Sequence, residues 1–378
     1  MNKNLVKKLA PYLAALIVFL SIAMIYFSPL MEGKKLKQHD IAMWKGMSKE
    51  IVDYRAKTGE EPLWTNSMFG GMPAWQISVV YSSNLIKKVD SLLKLGLPTP
   101  ANLFFLYFLG FFVLLLVLKV DPWLSLIGSL AYAFSTYFLI ILGAGHNSKA
   151  HAIAYMAPVL AGIIMAYRGQ IWKGGLLFAL ALALEINANH LQITYYLLFI
   201  VVLYGIYRLI VDAKEKRLPA FAKTTSVLVL MALLAASTNL TNLWATWDYG
   251  KDTMRGKPEL TKEKAVKSEG LDKDYITAWS YGIGETWSLL IPDVKGGASG
   301  YLGDRPELKN ADRAYRKVIA QQNGYWGDQP GTSGPVYVGA IVFFFFLLGM
   351  FIVRDKFKWP LIIAAILSIL LAWGKNWM

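Results

Sequence analysis

Nine uninterrupted apolar stretches constrain this chain more than any other feature. They fall at about 10 to 31, 102 to 120, 123 to 144, 150 to 167, 174 to 188, 191 to 211, 224 to 246, 335 to 353 and 359 to 374. A bilayer core needs about 20 apolar residues in a helix that satisfies its own backbone polar groups. The expected fold is therefore an all-α membrane protein with about nine transmembrane helices. Composition agrees, with 55% of residues hydrophobic and only 17% charged. The first stretch, "LAPYLAALIVFLSIAMIYF", is too long for the apolar core of a signal peptide, and no small-residue cleavage site follows it. It is read as the first span.

A net charge of +14 would point to nucleic acid in a soluble protein. Here the basic residues flank the apolar stretches. With a cytoplasmic N-terminus, Lys3, Lys7, Lys8, Lys119, Arg168, Lys173, Arg208, Lys214, Lys216, Arg217, Lys223, Arg354, Lys356 and Lys358 all fall inside, and the short outer turns hold little more than Lys149. The expectation is a multipass protein of the cytoplasmic (inner) membrane, with its N-terminus inside and no nucleic-acid partner. Cysteine is absent, so there is no disulfide framework or thiolate metal site.

This topology sends two long segments outward, 32 to 101 and 247 to 334. In the first, "IAMWKGMSKEIVDYRA" and "SNLIKKVDSLLKLGL" carry apolar residues at helical spacing and read as amphipathic helices on the membrane surface. The turn formers of "EEPLWTNSMFGGMP" lie between them. The second segment has balanced charges up to about residue 274, then becomes rich in aromatic residues and glycine. The expected organisation is a seven-helix module over 1 to 246, a large outer loop over 247 to 334, and two further spans over 335 to 378. The chain stops at "LAWGKNWM", directly after the ninth span, and is expected to be part of a longer protein.

The same topology gathers unusual polar residues on the outer side. His39 and Asp40 follow the first span. His146, Asn147, Lys149 and His151 mark the turn after the third, and Glu185, Asn189, His190 and Gln192 the turn after the fifth. Asn239 and Asn242 end the seventh span, and the second long loop adds Trp279, Glu285 and Trp287. Ionisable groups at membrane depth usually mark function, so their convergence predicts one polar pocket. Each has a plainer reading. A single histidine is more often a hydrogen-bonded interfacial residue, Asp40 could cap a helix starting at Ile41, Glu185 could pair with a neighbouring helix, and the tryptophans could form an interface belt. No metal-binding motif is present, since His146 and His151 are five apart with no carboxylate at ligand spacing, and no cofactor is expected. Neither phosphate-cradling glycine motif is complete.

The segments "QHD", "EPLWTNSMFGGMP", "GHNSKAHAIAYMAP", "NANHLQITYY", "WSYGIGETWSLLIPDVKGGAS" and "YWGDQPGTSGPVYVG" together resemble the YfhO-like family of the GT-C superfamily of polytopic glycosyltransferases. The resemblance runs through essentially the whole chain. It implies a GT-C-like bundle that transfers a sugar from a polyprenyl-phosphate lipid to a cell-envelope acceptor, with an acidic residue of the first outer loop as base. The matching residue is Asp40. The chemistry suits a lone carboxylate, because the lipid phosphate leaves as a stable anion and needs no acid. His39 would orient Asp40 or contact phosphate. His146, Lys149, His151 and His190 are candidate phosphate donors, with Asn147, Glu185, Asn189 and Gln192 lining the pocket. Trp64, Trp279 and Trp287 would stack on sugar, and Glu285 would bind hydroxyls or share the role of base. Two rivals are a lipid or polysaccharide transporter without catalysis and a scaffold for a membrane complex.

Overall fold

A computed structural model describes residues 3–253, 273–331 and 334–377. Most of the charge-balanced part of the second long loop lies outside these residues. The chain is mostly helical. Six of the nine apolar stretches contain one helix each, and those at 10–31, 123–144 and 224–246 contain two. In chain order the helices are α1 (Lys3–Tyr26), α2 (Ser28–Met31), α3 (His39–Met47), α4 (Lys49–Thr58), α5 (Ile86–Leu93), α6 (Ala101–Val117), α7 (Pro122–Ala133), α8 (Thr136–Ala144) and α9 (Asn147–Tyr167). They continue with α10 (Ile171–Asn187), α11 (Leu191–Lys214), α12 (Leu218–Ser237), α13 (Leu240–Gly250), α14 (Lys273–Ile276), α15 (Arg316–Ala320), α16 (Ala340–Ile352) and α17 (Lys358–Trp373).

Among the described residues, five helices are long and apolar enough to cross a membrane: those of α1, α9, α11 and α12, and α17 together with the turn Gly374–Asn376 that extends it. The pair α7 and α8, bent by 49° at Phe134-Ser135, makes a sixth if it is one span. The apolar helices α6 and α16 are shorter. Large apolar side chains such as Ile17, Leu124, Leu230 and Phe351 stand exposed on these helices. So much apolar surface fits lipid, and the chain is membrane-associated.

Local chemistry sets several helix ends. Asp121 Oδ1 accepts the Trp123 N–H at 2.9 Å and the Leu124 N–H at 3.3 Å, capping α7, with Pro122 at its first position. The first long loop adds a short hairpin, β1 (Trp64–Thr65) on β2 (Met72–Pro73). Glu50 fixes its turn by accepting the Thr65 hydroxyl and the backbone N–H groups of Asn66 and Ser67.

The chain forms two compact units that interleave along the sequence. One comprises residues 1–130, 141–198 and 212–249; the other comprises 131–140, 199–211 and 250–378. In the first, α6 is buried on nearly all sides, and Phe19 of α1 stacks on its Phe108 with ring centroids 5.2 Å apart. α9 and α10 form its tightest pair. A Cβ on Gly162 would lie 2.4 Å from the Phe178 nitrogen, and one on Gly174 2.3 Å from the Ala166 nitrogen. Small residues let helices approach this closely where no water-driven force holds them.

In the second unit, β3 (Gly296–Tyr301) pairs with β4 (Asn323–Tyr325). The Thr136 hydroxyl donates to the Pro335 carbonyl. Tyr281 N–H donates to the Ala372 carbonyl at 2.7 Å, and Trp373 Nε1 to the Thr286 hydroxyl at 2.8 Å, so residues 280–286 dock on the end of α17.

Candidate functional site

The first unit brings Asp40, His146, Lys149 and His190 together. α3 begins at His39 with Gln38 as its N-cap residue, so Asp40 lies inside the first turn and makes no capping hydrogen bond. The cap reading of Asp40 is thereby replaced. A carboxylate there suits the helix dipole. Gln38 is buried; its Nε2 donates to the Leu142 carbonyl at 2.6 Å and to Asn147 Oδ1 at 2.9 Å. These bonds set the start of α3 against the turn between α8 and α9. Gly145 makes the approach possible: its φ is +99°, and a Cβ there would meet Gln38 Cβ at 3.0 Å and Asp40 Cβ at 3.3 Å.

Asp40 Oδ2 lies 2.8 Å from His146 Nε2. Its other oxygen has no partner among the described residues. The Asp40 side chain is 48% exposed and that of His146 26% exposed, so the carboxylate stays open to a reactant while the imidazole is half-buried. Burial pushes the His146 imidazole below its ordinary pKa, Lys149 adds to the effect, and Asp40 opposes it. His190 is pushed down in the same way, by burial first and then by Lys149 and His146. Both rings therefore favour the neutral form more than a free imidazole does. His146 donates from Nε2 to Asp40, which leaves Nδ1 as a lone-pair acceptor. His146 Nδ1 and His190 Nε2 are buried and have no hydrogen-bond partner among the described residues. The site is a carboxylate beside one lysine and two imidazoles. It can accept a proton at Asp40 and hold an anion near Lys149.

The other candidates are placed differently. His39 is exposed and has no polar partner among the described residues. Asn147 exchanges hydrogen bonds with Gln38 and serves as a strut. His151 is committed elsewhere: its Nε2 lies 2.5 Å from Asp90 Oδ1. Asn189 is exposed, adopts φ +57°, and accepts from Asn242 Nδ2 at 2.9 Å, while Gln192 reaches Tyr196 on its own helix. Glu185 is fully buried on α10, and no hydrogen bond of good geometry reaches either oxygen; the Thr194 hydroxyl is its polar neighbour. Trp64 lies over Gly71 in the hairpin and is half-exposed.

Trp279, Glu285 and Trp287 belong to the second unit. Glu285 is buried and accepts from the Tyr325 hydroxyl, the Gly282 N–H at 2.7 Å and the Asp328 N–H at 3.1 Å. Three donors occupy both its oxygens, so it knits the loop together and has little capacity left for a ligand. Trp279 and Trp287 stand exposed, and Trp279 Nε1 donates to the Gly331 carbonyl at 3.1 Å.

Asp90 is the residue that sequence reasoning missed. It accepts His151 at 2.5 Å and the Tyr155 hydroxyl at 2.7 Å on Oδ1, and Lys94 Nζ at 2.6 Å on Oδ2. Burial alone would push its carboxyl up, but the bonds and charges of His151 and Lys94 outweigh burial and hold it at about 2. Its signal was an aspartate within "KKVDSLLK", one helical turn before Lys94. Among the described residues no group of three or more His, Asp or Glu side chains is placed to hold a metal. Compared with protein families, curated proteins and solved structures, the chain matches none.

Proposed function

We propose that the chain is a membrane glycosyltransferase that moves a sugar from a polyprenyl-phosphate lipid to a cell-envelope acceptor. The reading follows the resemblance to the YfhO-like, GT-C type proteins and includes nine crossings, a cytoplasmic N-terminus and an active face outside the inner membrane. In the reaction, the acceptor oxygen attacks the anomeric carbon and its proton passes to the Asp40 carboxylate. The bond from that carbon to the phosphate oxygen breaks, and the electron pair leaves on the lipid phosphate. Lys149 and a ring N–H of His190 are the groups that would face the growing negative charge, while His146 holds Asp40. No cofactor takes part.

One observation carries the proposal: a carboxylate with one free oxygen, held 2.8 Å from His146 beside Lys149. It matches a base that must remove a proton while a cation stabilises a departing phosphate. The test is sugar transfer from radiolabelled polyprenyl-phosphate sugar in membranes, with Asp40 intact and with Asp40→Asn. Transfer at the wild-type rate in the variant removes Asp40 as base.

A second reading, a lipid transporter without catalysis, draws on Glu185, a buried carboxylate in an apolar helix. It predicts that Glu185→Gln abolishes lipid movement across vesicles while Asp40→Asn leaves it intact.

A further inference from the structure

Three polar side chains of α9, Asn147, His151 and Tyr155, follow one another at intervals of four residues and so share a face. All three are bonded to the first long loop. Asn147 pairs with Gln38 at 2.9 Å, at the near end of that loop. His151 and Tyr155 pair with Asp90, at its far end. Lys149, between them in sequence, projects elsewhere and interacts with Asp40 and His146. The first turns of α9 therefore divide their labour: one face holds the loop and the other supplies the site.

Asp90 is only 6% exposed and takes no part in the proposed transfer. The inward face of its helix is mixed, with Asp90 buried beside half-buried Ile86, Val89 and Leu93 and with Lys88 outside. α5 lies against α10, with Asp90 inward, while Leu85 and Leu92 stand 67% and 72% exposed. A charged residue in that position needs a full set of donors, and Asp90 has three. The loop is also continuous between its two anchors. Trp44 Nε1 of α3 donates to the Ile77 carbonyl at 2.9 Å. Arg55 of α4 pairs with Glu61 at 2.7 Å, and Glu61 accepts the Val80 N–H at 3.3 Å. Segment 77–80 thus ties α3 and α4 to the stretch that leads into α5.

We propose that Asp90 is a positioning residue: by latching α5 to His151 and Tyr155 it keeps the whole loop seated on α9, and so holds Asp40 in register on His146. The kinetic consequence rests on Asp40 acting as the base; the structural consequence does not.

The experiment uses the full chain in nanodiscs, comparing wild type, Asp90→Asn, Asp90→Glu and Tyr155→Phe. Backbone hydrogen exchange is followed at 86–93 and 39–47, alongside transfer kinetics. Asp90→Asn should speed exchange about tenfold at 86–93 and about threefold at 39–47, with the α9 and α10 interior unchanged. It should lower kcat about tenfold with the KM for the lipid donor held within about twofold. Asp90→Glu should recover part of both effects. Should Asp90→Asn not fold, Tyr155→Phe, which removes one donor of three, must shift both segments in the same direction by smaller factors. Faster exchange confined to 86–93, or a rise in KM alone, overturns the proposal. If the wild-type protein transfers no sugar, the glycosyltransferase reading fails, and exchange at 39–47 still decides whether the latch reaches the Asp40 helix.

Discussion

Asp40→Asn and His146→Gln, made singly and together, probe the centre of the site. Asparagine keeps the size of Asp40 and can accept the His146 hydrogen bond, but it cannot take a proton. Loss of a general base lowers the rate by about 10² to 10⁴-fold. His146 acts through Asp40, so its removal should cost far less. A hydrogen bond to a charged group is worth about 1.5 to 3 kcal/mol when buried. With Asp40 48% and His146 26% exposed, this one belongs near about 1 kcal/mol, or roughly fivefold in rate. The double variant should match Asp40→Asn alone, because orienting an absent base has no effect; the coupling energy then equals the whole His146 contribution. The assay is initial-rate transfer from the radiolabelled lipid donor at saturating acceptor. If His146→Gln loses as much as Asp40→Asn, the imidazole shares the proton transfer and Asp40 is not the sole base. If the two losses simply multiply, the 2.8 Å pair has no bearing on catalysis.

Asp90 has its carboxyl lowered from 3.8 to about 2 in the fold, so its stabilisation is complete above the unfolded value and is lost as pH falls through about 2. The shift corresponds to about 2 kcal/mol; melting of the wild type in detergent should exceed that of Asp90→Asn at pH 5, with the gap closing toward pH 2. Gly174→Ala should destabilise by about 1 to 3 kcal/mol, since the new Cβ would lie 2.3 Å from the Ala166 nitrogen, whereas Gly205→Ala meets nothing and should be neutral or stabilising in the same melts. Glu285→Gln turns one acceptor into a donor facing donors, and limited proteolysis should cut residues 279–331 faster in that variant.

The helices were legible because an apolar run of spanning length leaves the backbone no other solution in lipid. Their interruptions were less so. The bend at Phe134-Ser135 and the break between α12 and α13 at Thr238-Asn239 fall inside stretches read as single spans, where the short polar runs Ser135-Thr136 and Ser237-Thr238-Asn239 scarcely lower the hydropathy of a spanning window. Asp40 and His146 were legible as partners only by topology: each sits at the end of a predicted span, and spans that end on one side bring their turns together. His151 misled for a related reason. It is five residues from His146 and equally polar in sequence, but His146 lies in a turn and His151 on a helix, so the two rings face different neighbours.

α5 shows how a correct pattern can give an incomplete reading. Its periodicity correctly marks an amphipathic helix, and in a soluble protein the leucine side would face the core. Beside membrane-associated helices Leu85 and Leu92 face outward, and the face that carries Asp90 must find partners within the protein. Asp90 then changes from an ordinary solvated charge into a buried acceptor whose three donors include two from a single helix. Glu185 and Glu285 differ in how they are closed. Each is a buried carboxylate, yet Glu285 is closed by three donors and Glu185 by none of good geometry. Replacing the carboxyl by the Gln amide should therefore disturb the loop at Glu285 and leave the α10 packing intact at Glu185, since a side chain without hydrogen bonds has no attraction for the substitution to remove.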